Sequence, residues 1–266
     1  MSRLLSRRDL LLAPLGLLAL SGPAQARGEA RNVSVYRVDV GVLFDFITFE
    51  IGGTVTEQID HAAGRYQVTI TGEGTGVSSR TQAFGVIRDD RFMPVETTSF
   101  HTVRGRESRL SLRFDYGRRV VEYRAVGHTL LLGRRREVDD VIPLGPAEPV
   151  DDLISAGLNF AANRLPAEPD GTYRTAVVRR ARPRNEGPDD ISSTGYRAEI
   201  VPLRFQPVKD PGTGRLTALL DLTRLSSWAR PEKPARVVFG PDRRVVSIES
   251  SLILGTRFHV RLDPSS

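Results

Sequence analysis

The chain has no cysteine, which excludes disulfides, thiolate metal sites and thiol nucleophiles. Lysine is scarce: of 38 basic residues, only Lys209 and Lys233 are lysine. Trp228 is the single tryptophan. The apolar run over residues 10–20 is interrupted by Pro14 and Gly16 and falls short of the ~20 residues that cross a bilayer. None of the four histidines (His61, His101, His128, His259) has a metal-ligand spacing to another. No Gly-x-Ser-x-Gly elbow occurs. The glycines of Gly72-Glu73-Gly74-Thr75-Gly76 are followed by Val77-Ser78-Ser79-Arg80, which does not open a helix, so a hairpin end is expected there rather than a phosphate cradle. These absences leave no catalytic residue, no metal ligand and no cofactor to assign.

What is present begins with an address. Arg3, Arg7 and Arg8 form a positive segment, residues 10–20 an apolar one, and Ala24-Gln25-Ala26 supplies small side chains for cleavage. Residues 1–26 therefore read as a signal peptide. Ser6-Arg7-Arg8-Asp9-Leu10-Leu11 resembles a twin-arginine signal, with Leu10 where phenylalanine is more usual; an ordinary secretory signal with two neighbouring arginines is the alternative. The expected destination is periplasmic or secreted in a bacterium, with no transmembrane anchor in the mature form. Residues 27–266 would then form a single β-rich domain, with 165–170 as the one place where it could divide. Removing the leader lowers the formal charge from +6 to +4.

The arginine bias suits anions, because the guanidinium fork pairs with phosphate and carboxylate, although a GC-rich genome is the plainer source. Location argues against nucleic acid as a partner, and stacking aromatics are missing beside the arginine clusters. Along the mature chain, short segments alternate in period two. Arg65-Tyr66-Gln67-Val68-Thr69-Ile70-Thr71 and Arg109-Leu110-Ser111-Leu112-Arg113-Phe114-Asp115-Tyr116 are the cleanest. Such patterning implies antiparallel sheet with one covered face. Gly52-Gly53 is expected to break a strand. Pro202 marks an edge or bulge. One stretch has helical spacing instead: Leu153, Ala156, Gly157, Phe160 and Ala161 make an apolar stripe, Asp151 and Asp152 suit its first turn, and Asn163 suits its end. The expected fold is mainly β, a curved antiparallel sheet or incomplete barrel with one helix packed on it.

Several short segments resemble a bacterial family of exported proteins, domain of unknown function 3108. They are Tyr36-Arg37-Val38-Asp39-Val40-Gly41, Gly64-Arg65-Tyr66-Gln67-Val68, Phe92-Met93-Pro94 and Leu112-Arg113-Phe114-Asp115. The helical segment from Pro149 to Ala156 and the closing hairpin around Gly240-Pro241-Asp242 are similar to it as well. The resemblance implies a curved antiparallel sheet in an exported protein. It implies no chemistry and no functional residues.

Three function classes follow. The favoured one is a non-enzymatic binding protein of the envelope holding an apolar or lipid-like ligand on the concave side of the sheet. Tyr36, Phe44, Phe46, Tyr66, Phe84, Phe114 and Tyr123 are its candidate lining, with simple core packing as the plainer role for the same side chains. The second class is a scaffold or assembly factor that binds another envelope protein. The third is a hydrolase of cell-wall glycan, which needs two acids held across a substrate; the pairs Asp89-Asp90, Asp139-Asp140, Asp151-Asp152 and Asp189-Asp190 more often cap turns or point apart. Replacing both Arg7 and Arg8 with lysine is expected to abolish export, read by cell fractionation; undiminished export would assign the leader to the general secretory route.

Overall fold

The structure, a computed structural model, describes residues 29–42, 47–103, 105–129, 133–145, 149–181, 190–192, 195–210, 212–225, 229, 232–252 and 256–264. The leader, Phe44 and Phe46 lie outside the described residues. Fifteen strands follow one another: β1 (Glu29–Val42), β2 (Ile47–Asp60), β3 (Arg65–Gly74), β4 (Val77–Arg88), β5 (Arg91–Val103), β6 (Arg106–Asp115), β7 (Val120–His128), β8 (Arg135–Pro143), β9 (Val150–Asp151), β10 (Tyr173–Arg180), β11 (Ala198–Lys209), β12 (Leu216–Leu220), β13 (Ala235–Phe239), β14 (Val245–Ser251) and β15 (Arg257–Pro264). The helix α1 (Leu153–Ala161) lies between β9 and β10. Among the described residues the fold is thus mainly antiparallel β, as the alternation implied, with one helix.

All fifteen strands belong to one sheet, in the order β8-β7-β6-β5-β4-β3-β2-β1-β15-β14-β13-β12-β11-β10-β9. Laid flat, fourteen gaps of ~4.8 Å would separate its edges by ~67 Å. Those edges, β8 and β9, are consecutive in the chain. Only residues 144–149 join them, and seven Cα steps reach at most ~25 Å. The sheet must therefore curl until its edges approach. Among the described residues they meet without a ladder: the Ala198 amide of β11 donates to Asp140 Oδ2 of β8 at 3.0 Å, and the Arg136 guanidinium donates to the Asp190 carbonyl. Beneath the seam, Leu112, Phe114, Val121, Tyr123 and Val138 of β6–β8 pack with Val150, Ala176 and Val178 of β9–β10. The result is barrel-like and closed by side chains.

Two expectations about breakers resolve differently. Pro202 pairs with Ala176 of β10 on one side, while β12 pairs β11 only from Phe205 onward. At Pro202 the strand is locally an edge, which is where a missing N–H is tolerated. Gly52-Gly53, by contrast, breaks nothing: β2 runs straight through, with Gly53 paired to Tyr36 of β1 and to Gly72 of β3. The glycines make a slot. A Cβ on Gly53 would collide with the Thr71 carbonyl oxygen and stand 2.6 Å from Tyr36 Cζ, and one on Gly72 would collide with the Tyr36 hydroxyl. Tyr36, with no exposed surface, fills the space that two missing side chains leave. Gly53→Ala is expected to destabilise the fold by ~1–3 kcal/mol through this overlap, against under ~1 for Gly52→Ala, whose Cβ would meet nothing within 4 Å. Chemical denaturation of the two variants checks the contrast.

Candidate functional site

The interior is built around α1. Asp152 is its N-cap, in extended geometry, and Oδ1 accepts the Ser155 amide at 2.6 Å. The helix closes at Ala162, followed by Asn163 in the left-handed region (φ 59°), the position where asparagine is tolerated. Every residue from Ile154 to Ala161 is buried, so the helix is enclosed by the sheet rather than laid across its surface. Phe160 stacks on Phe205 (centroids 4.6 Å apart, planes at 11°) and meets Phe239 and Tyr173 at 5.4 and 5.6 Å.

A polar cluster ties this helix to the wall. Asp151 Oδ2 accepts from Arg91 of β5 and from Thr175 of β10, both at 2.6 Å, and Oδ1 accepts from Asn159 at 3.4 Å. Asp152 Oδ2 accepts from Thr97 of β5. Asn159 bonds the Phe92 amide and carbonyl, each at 2.9 Å, so its side chain stands in for a strand. The Tyr66 hydroxyl meets Ser155 Oγ at 2.7 Å, and Tyr116 donates to the Pro94 carbonyl. Burial raises both carboxyl groups. Asp151 is pushed up to about 6, opposed by the Arg91 guanidinium; Asp152 is raised too. Burial, with these carboxylates nearby, holds the Tyr66 hydroxyl well above its ordinary value.

This is the acid pair a hydrolase would need, and here the acids serve as fasteners. All four carboxylate oxygens have donors, both side chains are at most 2% exposed, and neither surface cavity described below includes them. Of the other pairs, Asp189 lies outside the described residues, and Asp140 accepts the Ala198 amide at the seam. Asp89 and Asp90 both have positive φ and form the two-residue β4–β5 hairpin turn. Asp139 pairs with Arg124 on the outside.

The expected lining residues separate. Tyr36, Tyr66, Phe114 and Tyr123 point inward and are buried in the packed core. Burial pushes the Tyr36 and Tyr123 hydroxyls up to about 12. Phe84 is a correction: it is 44% exposed on the outer face. The inward positions of β4 are Thr81, Ala83 and Gly85, and a Cβ on Gly85 would stand 2.6 Å from the Tyr66 ring. Tyr66 takes the room an inward Phe84 would need. A Ser99–His101 contact at 2.6 Å went unnoticed in sequence, although residues two apart in a strand share a face. Burial lowers His101 to about 4, which makes it a weak base, and Ser99 also bonds Thr81.

Among solved structures, the chain is similar to a β-barrel-like protein of domain of unknown function 1849 from Brucella abortus. The identity is 10% and the TM-score 0.40, over 90% of this chain and 98% of that one. No protein-family profile and no curated protein sequence matches the chain.

Two cavities open on the outer face. The first, of about 400 Å³, lies over β4–β7. Strand register sets its floor in two rows, Arg80–Phe100–Arg109–Val126 and Gln82–Thr98–Ser111–Arg124. The Arg109 guanidinium lies 5.5 Å from the Phe100 ring centroid. Arg124 and Arg109 pair with Asp139 and Glu107 at exposed sites, while Arg80 makes no ion pair among the described residues. The second cavity, of about 1080 Å³, spans β13, β14, β15, β1 and β2.

The buried carboxyls set a pH dependence. The folded chain keeps the Asp151 proton up to about pH 6, while the unfolded chain releases it near 3.8. Stability is therefore fully present below 3.8 and falls as pH rises through 6, by on the order of 3 kcal/mol. His101, lowered by burial to about 4, contributes in the opposite sense over the same range, so the Asp151 effect is read as a difference: between pH 4 and 7 the parent chain should lose stability relative to Asp151→Asn by this amount, checked by the denaturation midpoints of the two.

Proposed function

We propose that the chain is an exported, non-enzymatic binding protein of the bacterial envelope, whose ligand is a lipid-like amphipathic anion. One observation carries the reading: the 400 Å³ basin sets three arginines, Arg80, Arg109 and Arg124, around the apolar side chains of Phe100 and Val126. An apolar floor takes hydrocarbon, and guanidinium forks take a carboxylate or phosphate head. The volume falls within the range of small-molecule pockets. The ligand seat moves accordingly from the concave side, where α1 and its aromatic neighbours pack, to the outer wall.

Export rests on the leader, with its arginines, short apolar segment and small residues at 24–26. No helix among the described residues is long and apolar enough to cross a membrane. Membership of the exported family of domain of unknown function 3108 belongs to the same proposal and adds no chemistry to it.

Displacement of a fluorescent long-chain fatty acid from the mature chain tests the site. Combined Arg80→Glu, Arg109→Glu and Arg124→Glu substitution is expected to weaken binding at least tenfold, because each exposed charge contact contributes up to ~1 kcal/mol. Phe100→Ala should weaken it severalfold with the charges intact. Unchanged affinity after triple reversal would remove the basin as the seat.

A further inference from the structure

The 1080 Å³ groove carries a different charge pattern and does not depend on the lipid reading. Its floor is a cross-strand row, fixed by register, that runs Arg236 (β13), Glu249 (β14), His259 (β15), Asp39 (β1), Glu50 (β2). Most of these charges are already answered. Arg236 pairs with Asp210, Asp39 with Arg261, and Glu249 Oε1 lies 3.5 Å from His259 Nε2. Among the described residues that line the groove, one acid and one base without an ion pair lie at opposite ends. Glu50 is exposed on β2 with no ion pair among the described residues, and Lys233, just before β13, is likewise exposed and unpaired.

The row from β13 to β2 crosses four strand gaps, ~19 Å at ~4.8 Å each. A ligand that answers both ends therefore carries a cation and an anion ~19 Å apart and fits an open trough of mixed lining between them. An extended peptide advances ~3.3–3.6 Å per residue, so five to six residues place a free α-ammonium at Glu50 and a free α-carboxylate at Lys233. The trough between the ends has a mixed polar and apolar lining, and its Arg236 and Asp39 are each held by a partner of opposite charge. We infer that this groove is a second binding site, which takes a short peptide with free termini, its N-terminus at Glu50 and its C-terminus at Lys233.

The probe is a mixed six-residue peptide library with free termini, incubated with the mature chain and read by native mass spectrometry. Retention of free hexapeptides over N-acetylated, C-amidated ones is the expected result, with tripeptides retained less because they cannot span both ends. Glu50→Gln and Lys233→Met each lower retention on the order of fivefold, as expected for one exposed charge contact. In Glu50→Gln, N-acetylation makes no further difference, because the group that reads it is gone. Both side chains are exposed, so an unchanged thermal midpoint verifies the fold of each variant. Equal retention of capped and free peptides, or retention of neither, overturns the proposal; so does a loss in Glu50→Gln that N-acetylation deepens.

Discussion

Six residues join the two edges of a fifteen-stranded sheet, and the rest of the architecture follows from that short tether. A connection of that reach cannot cross a flat sheet, so the strands must curl, and curling creates an interior that apolar side chains have to fill. The chain places the filler immediately after the tether. β9 forms two parallel ladder pairs with β10, and α1 starts one residue later, already inside. Closure and filling are thus consecutive events in the sequence, encoded within about twenty residues.

Enclosing a helix raises a second constraint, because its termini and polar side chains leave water. The solution around the start and inner face of the helix is to make its buried polar groups fasteners. Asp152 satisfies an orphan amide of the first turn and reaches Thr97; Asp151 gathers Arg91 and Thr175 from two strands; Asn159 completes the backbone of β5 at Phe92. Satisfied networks of this kind fix one arrangement of the parts, whereas removing one member leaves a buried charge unanswered. The raised pKa of Asp151 reflects this enclosure and is no mark of a catalyst.

Much of the fold was legible in sequence, because period two and period 3.6 are strong local signals. The strands around Val68 and Leu112, the helix at 153–161 and its Asp cap could all be read directly. Faces were legible only where both sides of a strand differ in character. In β4 the inward residues are small because Tyr66 occupies their space, so the largest apolar residue, Phe84, faces solvent. Gly53 looked like a breaker because its cause, the Tyr36 ring, sits on another strand. The outer sites were not legible at all. Arg80, Phe100, Arg109 and Val126 are scattered over 46 positions and become neighbours only through register, which local patterning does not encode.

The seam between β8 and β11 has a geometric consequence. In a closed barrel, strand number and stagger together dictate the radius, so the cross-section takes only certain values. Here, among the described residues, the circuit is completed by a carboxylate–amide contact and by packing, with no ladder across the gap. The girth of this protein is therefore free of that quantisation, and it matches the helix inside it as a wrapped cloth matches its contents.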